Sequence, residues 1–315
     1  MLDAMDLRGI RYFLAIAEAG SITGAAAHLG VAQPALTRQV QAMEAELGAA
    51  LLERMPRGVR LTPAGRQFLD HGRRVLRELE RARAELSGAG HAGRGRVILG
   101  VSPTVGGWLV PGCVERARTE APGLSIKVVE GFSPQLFDAL GAGGVDVALL
   151  TNPEPARALR YTPLVAEPVV VVGRHAPGAQ AFLTRAELAR LPLLLSDGIR
   201  QALAEQLDRL ALRLNVEVEI DSIDAIRSLL LRGAGHALMP VSTFGEDIRA
   251  GRLSAWPLAD ATLNRMLVLA HAARPADPAA VEALASLVAG EISAHFERGT
   301  FSVPAQSRSQ RRSPA

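Results

Sequence analysis

The amino-acid sequence predicts a multidomain α/β protein with an N-terminal winged helix-turn-helix, a long dimerising linker helix and a C-terminal two-lobed α/β region. Three observations carry this expectation. Two alanine-rich helical stretches meet at Leu29, Gly30 and Val31, and a Gln33–Pro34 pair opens the second. Core candidates at Phe68, Gly72, Val75, Leu79, Ala82 and Leu86 alternate spacings of four and three, the seam of a two-helix coiled coil. Beyond them, short β-rich runs alternate with helical stretches, which implies parallel sheets covered by helices on both faces.

The bulk properties are compatible with that division. At 315 residues the chain suggests about two domains at ~150 residues each. A composition of 48% hydrophobic and 21% charged residues is that of an ordinary globular protein. Net charge is only +3, and Lys127 is the one lysine; the arginine bias reads as genomic base composition, with selection for phosphate contacts as the other reading. Cys113 is the single cysteine, which excludes an intrachain disulfide and a multi-thiolate zinc site and fits a reducing, cytoplasmic setting. The start "MLDAMDLRGIRYF" lacks an apolar segment behind a basic one, and no run approaches the ~18 uninterrupted apolar residues of a membrane span.

Each element follows from local chemistry. Leu7, Ile10, Phe13, Leu14 and Ala17 recur at helical period, Gly20 ends that helix and Ser21 caps the next, expected over 22–29. Gly30 stops it before a third helix with Leu36, Val40, Met43 and Leu47 on its apolar face and Gly48 at its end. "LLERMPRGVRLTPAG" reads as a small hairpin with turn residues at Pro56, Arg57 and Gly58. Thr62 caps and Pro63 opens the helix expected over 64–86, in which Gly72 weakens the seam by about 1 kcal/mol against alanine. "SGAGHAGRGR" is a hinge, and "VILGV", "SIKVVEG", "VDVALL", "PVVVVG", "LPLLLS" and "MLVLA" are the strands that follow. The basic tail "GTFSVPAQSRSQRRSPA" has a disordered composition.

Two helices joined by a tight glycine turn place the second in the major groove of DNA. Proline in the first turn forfeits no intrahelical bond, so Pro34 starts that helix firmly while Gln33 meets base edges, adenine being its natural partner. Thr37, Arg38 and Gln41 share the polar face, and each good bidentate contact is worth roughly 1–3 kcal/mol of discrimination. Ser21 and Thr23 are placed to hold a phosphate at the N-terminus of the second helix. Arg54, Arg57 and Arg60 alternate along the hairpin, as a basic wing toward backbone or minor groove or as a solvated edge. The rival reading is a plain helical hairpin, and charge over the first sixty or so residues balances near zero.

In the second half, ligands collect at the carboxyl ends of strands, where helix N-termini offer amides. "VILGV" delivers Ser102, Pro103 and Thr104, and "IKVVEG" delivers Glu130, Gly131, Phe132 and Ser133; the serines read as ligand contacts or as helix caps. Cys113 reads as a packed thiol, with a redox sensor as the alternative. His28, His71, His91, His236 and His271 are among seven histidines, and none forms a close pair with ligand spacing, so no metal is expected. Neither G-x-S-x-G, a phosphate loop nor G-x-G-x-x-G in its strand context is present; "GAGHAGRG" precedes a strand instead of following one.

"GSITGAAAHLGVAQPALTRQVQAMEAELGAALLERMPRGVRLTPAG" resembles the N-terminal signature of the LysR-type transcriptional regulators. The likeness continues through "GRVILGVSPTVGGWLVPGCVERARTEAPGLSIKVVEGFSPQLFDALGAGGVDVALL", "IDSIDAIRSLLLRGAGHALMPVS" and "FGEDIRAGRLSAWPL", and so covers the chain apart from the tail. A further likeness is to the nitrogen-assimilation-control branch of that family.

The resemblance implies a DNA-binding domain over 1–63, a linker and dimerisation helix over 64–88, a hinge over 89–96, and an effector-binding domain of periplasmic-binding-protein type over 97–297. Lobe 1 is expected near 97–165 and 268–297, lobe 2 near 166–267, and a disordered tail over 298–315. It carries DNA contacts onto Gln33, Pro34, Thr37, Arg38 and the wing arginines, Thr37 replacing the serine of many relatives. It puts an effector between the lobes, against the two loops above and against Ser196, Ile199, Arg200 and Gln201 of "LSDGIRQAL", with Arg200 available to pair an anion. Implied partners are promoter DNA at interrupted palindromes, further copies of the chain in a dimer or tetramer, a small-molecule effector and RNA polymerase. No cofactor, catalytic residue or membrane partner is expected. The competing class is an enzyme or solute-binding module built on the two lobes alone.

Overall fold

The computed structural model describes residues 5–56, 58–86, 95–176 and 181–303, with backbone alone at Arg77 and over 80–86. The chain forms two compact units, an N-terminal one and one that begins at Gly95.

In the first unit, α1 (Leu7–Ala19) is capped by Asp6, whose carboxylate accepts the Gly9 N–H at 2.6 Å, and it buries Ile10, Phe13 and Ile16. Helix α2 (Ile22–Leu29) buries Ala25 and Ala26 in the core, with Ile22 and Leu29 packed at its edge, and small side chains at the contact let helices approach closely. Helix α3 (Gln33–Leu47) buries Leu36, Val40 and Met43, while Leu47, expected on the same face, is exposed. Strands β1 (Leu52–Met55) and β2 (Gly58–Leu61) form the antiparallel hairpin. Two contacts fasten it to the helices. The Glu44 carboxylate accepts the N–H groups of Leu51 and Leu52 at 2.7 and 3.0 Å, and the Val59 N–H donates to the Gly20 carbonyl at 2.9 Å. Gly58 has φ 98°, and a Cβ there would lie 2.3 Å from that carbonyl oxygen, so only glycine fits.

Helix α4 (Pro63–Leu86) is capped by the Thr62 hydroxyl, which accepts the Gly65 N–H at 2.9 Å. Its first half corrects the expected seam. The Phe68 ring meets Phe13 edge-on with centroids 5.1 Å apart, and the bare Cα of Gly72 accommodates Leu14 and Ile10, so both residues pack on α1 of their own chain. Val75 is 45% exposed and Leu79 half-buried, so an apolar stripe continues past α1 at these positions. The side chains of Ala82 and Leu86 lie outside the described residues.

The second unit alternates β3 (Arg96–Val101), α5 (Pro103–Glu120), β4 (Ser125–Glu130), α6 (Ser133–Gly141) and β5 (Val147–Thr151) before the long strand β6 (Leu159–Gly173). There follow α7 (Arg185–Leu188), β7 (Leu193–Leu195), α8 (Asp197–Arg209), β8 (Val216–Glu219), α9 (Ile223–Leu231), β9 (His236–Pro240), α10 (Gly245–Arg249) and β10 (Ser254–Trp256). Strand β11 (Asn264–Ala272) and α11 (Pro278–Glu297) complete the fold. The strand order is β4-β3-β5-β11-β6-β9-β7-β8, with β10 against β6.

Against the expectation of parallel sheets, the sheet is mixed. Strand β3 runs parallel to β4 and β5, and β7 to β8 and β9, but β11 is antiparallel to β5 and β6, and β6 to β9 and β10. The reason is topological: β6 leaves lobe 1 and β11 returns to it, so the crossing strands point in opposite directions. The lobes keep separate cores. Val165 and Leu267 belong to the core under β3 and β5, whereas Val169 and Leu263 belong to that under β7 and β9. The return to lobe 1 thus falls between Leu263 and Leu267, a few residues before the expected boundary at 267/268. Past α11 the chain touches both cores, Phe301 packing in lobe 1 and Val303 against lobe 2.

Two glycines in helices separate steric need from mere tolerance. A Cβ on Gly65 would lie 2.0 Å from the Leu51 carbonyl oxygen, whereas one on the exposed Gly107 meets nothing within 4 Å. Thermal unfolding of Gly65→Ala is expected to show a loss beyond the ~1–3 kcal/mol of ordinary overpacking. Gly107→Ala should gain about 1 kcal/mol of helix propensity. Equal responses would refute this assignment.

Candidate DNA-reading face and ligand cleft

Helix α3 turns Leu36, Val40 and Met43 inward and leaves Gln33, Pro34, Arg38 and Gln41 exposed. Thr37 is half-buried, and its hydroxyl donates to the Gln33 carbonyl at 3.1 Å, which steadies the first turn. At the start of α2 the Ser21 hydroxyl accepts the Gly24 N–H at 3.2 Å and keeps its own proton to donate, and Thr23 is exposed beside it. On the hairpin Arg54 is exposed, but Arg60 pairs across the strands with Glu53 at 2.7 Å, which offsets its charge. Arg57 lies outside the described residues. Sequence reasoning missed Glu44, whose signal is a carboxylate one turn before the helix end, facing a chain that must turn back on it.

In the second unit a cavity of about 310 Å³ opens between the lobes. The N-terminus of α5 contributes Ser102, Pro103 and Thr104, and that of α6 contributes Phe132 and Ser133. From lobe 2, α8 brings Ser196, Ile199 and Gln201. The hydroxyls differ in their roles. Ser102 stands at the cap position of α5 without capping it, 3.0 Å from the Thr104 hydroxyl. Ser133 accepts the Thr151 N–H at 2.8 Å, and Ser196 caps α8 through the Ile199 N–H at 3.4 Å. Gln201 donates to Asp197 at 2.6 Å.

Three expected residues do not line the cavity, Glu130 among them. Gly131 stops short of it. Arg200 sits one residue beyond Ile199, a turn of about 100° around the helix, and its guanidinium donates to Glu219 on β8 instead. The cation in the cavity wall is Arg265, which sequence reasoning missed because a charged residue at the head of an apolar strand reads as a strand end.

Arg265 is 1% exposed and Glu167 fully buried. They face each other in register across β11 and β6 at the crossing. Arg265 Nε donates to Glu167 Oε1 at 2.6 Å, and Nη1 donates to the Thr104 hydroxyl at 2.6 Å. Nη2 lies 2.6 Å from the same Oε1 yet off the line of a hydrogen bond, and neither it nor Glu167 Oε2 has a hydrogen-bond partner. The Ser242 hydroxyl of lobe 2 donates to Glu167 at 3.2 Å. One buried pair therefore holds a hydroxyl from each lobe.

Other contacts close the cleft. Asn152, held at φ 46°, donates from Nδ2 to the Ala202 carbonyl of α8 at 2.8 Å while its Oδ1 accepts the Met266 N–H at 2.8 Å. A Cβ on Gly198 would lie 2.5 Å from the Phe132 ring, so that glycine is what lets α8 sit on the aromatic face. Cys113 is buried on α5, and burial, with Glu291 adding repulsion, pushes its thiol up to about 12. Among the described residues no group of three or more His, Cys, Asp or Glu could hold a metal.

Two family models match the chain: the bacterial regulatory helix-turn-helix protein of the lysR family over residues 7–66, and the LysR substrate binding domain over residues 90–292. The SDS degradation transcriptional activation protein of a Pseudomonas strain is 34% identical over 301 residues, covering 91% of this chain and 96% of its own. The nitrogen assimilation regulatory protein nac of Klebsiella aerogenes is 33% identical over 243 residues, covering 76% and 79% respectively. Among solved structures, a full-length OxyR variant from Pseudomonas aeruginosa aligns at 26% identity and TM-score 0.66, over 90% of this chain and 94% of that one. Full-length CbnR in complex with its target DNA shares the fold at 21% identity and TM-score 0.65, over 91% and 100%.

Breaking the buried pair from one side leaves an uncompensated charge. Arg265→Met alone should lose roughly 3–5 kcal/mol of stability, and adding Glu167→Leu should recover most of it. Thermal or denaturant melting of the two variants decides; losses that simply add would mean that the pair is not coupled.

Proposed function

Because the chain belongs to the LysR family of transcriptional regulators, we propose that it binds interrupted palindromic promoter sites as a dimer or tetramer and responds to a small molecule held between its two lobes. The family regulates transcription and is not one of enzymes. The observation that carries the reading is the exposed row Gln33, Pro34, Arg38 and Gln41 on a helix whose opposite face is buried. In this reading Gln33, Thr37, Arg38 and Gln41 face base edges, with Pro34 fixing the start of the helix. Ser21, Thr23, Arg54 and Arg57 hold phosphates or the neighbouring groove, and Arg60, paired to Glu53, contributes less. Val75, Leu79, Ala82 and Leu86 join two copies through α4, and a two-fold dimer reads two half-sites. Its setting is the cytoplasm, and RNA polymerase is the partner through which it acts.

The lining hydroxyls of Ser102, Thr104, Ser133 and Ser196 support the cleft as the effector site, with Arg265 replacing Arg200 as its cation. Signalling by a thiol is not part of this reading, because the one cysteine is buried and holds its proton.

Selection of bound fragments from the organism's own DNA, at a stated salt concentration, should enrich an interrupted palindrome beside the protein's own gene. Arg38→Ala should then relax discrimination within each half-site by roughly 1–3 kcal/mol, and Arg57→Ala should weaken binding to all sequences and lower the salt slope by about one. Recovery of random fragments, or an unchanged preference in Arg38→Ala, would sink the reading.

A further inference from the structure

We infer that the tip of the hairpin is an apolar wedge: Met55, with Pro56 beside it, enters the minor groove next to each half-site and partly unstacks one base step, so that the protein reads how easily the duplex kinks there. The inference rests on the chain binding DNA through its N-terminal unit, and it adds a specificity-determining residue that makes no hydrogen bond to a base.

The composition of the tip comes first. Arg54, Met55, Pro56 and Arg57 run consecutively, two apolar residues between two cations. Met55 is 40% exposed, and Arg54 and Pro56 are exposed with it. One exposed methionine on a surface is ordinary. An apolar pair bracketed by arginines at the end of a hairpin instead has the make-up of a minor-groove wedge, in which cations meet the groove and its phosphates while methionine or proline goes between base pairs. The minor groove, about 6 Å wide, admits such a tip where it has no room for a helix.

The fold of the hairpin explains why Met55 is uncovered and why it is held still. Its partner across the strands is Gly58, which has no side chain to lay over it. Only glycine fits there, because a Cβ would meet the Gly20 carbonyl oxygen. The contact that pins the hairpin therefore also bares the methionine. The Val59 N–H bond to the same carbonyl and the Arg60–Glu53 pair across the strands brace the tip, so insertion orders little further backbone. Gly20 leads directly into Ser21, which sets the tip beside the start of α2 and its candidate phosphate contacts. The unbranched thioether chain adapts to the irregular gap between unstacked bases. Pyrimidine–purine steps such as TA and CA kink most easily, so these are the steps a wedge selects.

The experiment uses the full-length protein on a fragment recovered by DNA selection. Hydroxyl-radical protection locates the base step under the hairpin, and that step is then made TA, CA or AA, with 2-aminopurine in place of an adenine in it. The parent should bind TA and CA more tightly than AA, and its binding should raise 2-aminopurine fluorescence as the base unstacks. Met55→Ser should weaken binding to the TA site roughly ten- to a hundredfold, the burial of one methionine side chain. It should also flatten the step preference and abolish the fluorescence rise, with the salt slope unchanged. Arg54→Gln should lower that slope by about one and leave the step preference intact. Met55→Leu should behave as the parent does, and all three variants should melt with it. The inference is overturned if Met55→Ser binds as the parent does, if its loss comes with a lower salt slope, or if it keeps the preference or the fluorescence rise. A parent that selects its palindrome without any step preference sinks the wedge alone; one that selects no site sinks the regulator and the wedge with it.

Discussion

The second unit depends on one interaction, the buried ion pair of Arg265 and Glu167 at the point where β6 and β11 cross between the lobes. Two charges at 1% and 0% exposure are expensive to desolvate, and such a pair persists only with tight geometry and further hydrogen bonds. Those bonds come from Thr104 of lobe 1 and Ser242 of lobe 2. The pair thus specifies how the lobes meet more than it adds stability, and its arginine lines the cleft. Beside this pair and the Asn152–Ala202 hydrogen bond stands an apolar link: the chain after α11 places Phe301 in one core and Val303 on the other.

The first unit is organised on a different principle. Its core is small, so alanines at the α1–α2 contact let backbones approach, and the Gly20 carbonyl adds a backbone anchor for the hairpin to the packing of Leu52, Val59 and Leu61. Gly58 and Gly65 follow directly, since each faces a carbonyl oxygen with no room for a methyl group. Glu44 completes the arrangement by accepting the two N–H groups with which the chain leaves α3. A rigid frame of this kind holds Gln33, Arg38 and Gln41 in fixed relation to Ser21 and the hairpin, which the proposed reading of base edges requires.

Much of this was legible in the sequence, and where it was not the reason is physical. The three helices and the hairpin were readable because glycine stops, caps and apolar period coincide there. The seam on α4 misled at Phe68 and Gly72, because a stripe packed on a neighbour in the same chain has the same period as one facing a second copy. Strands β8, β9 and β10 were not singled out: "VEVE" is mostly exposed, and "SAW" is three residues long. The N-terminal half of β6 was missed because its exposed positions are Arg160, Thr162 and Pro163, which break any apolar run. The cleft loops were found through strand ends and helix starts, but Arg265 and Glu167 stay hidden in one dimension, 98 residues apart and meaningful only as a pair.

Amide hydrogen exchange on Glu167→Ala tests most directly whether the buried pair is the pivot of the two lobes. If it is, protection falls together at Thr104–Gly106 and at 242–244, on opposite lobes, while Leu99 and Leu194 in the lobe cores retain theirs. Loss confined to the neighbours of residue 167 on β6 would contradict the account.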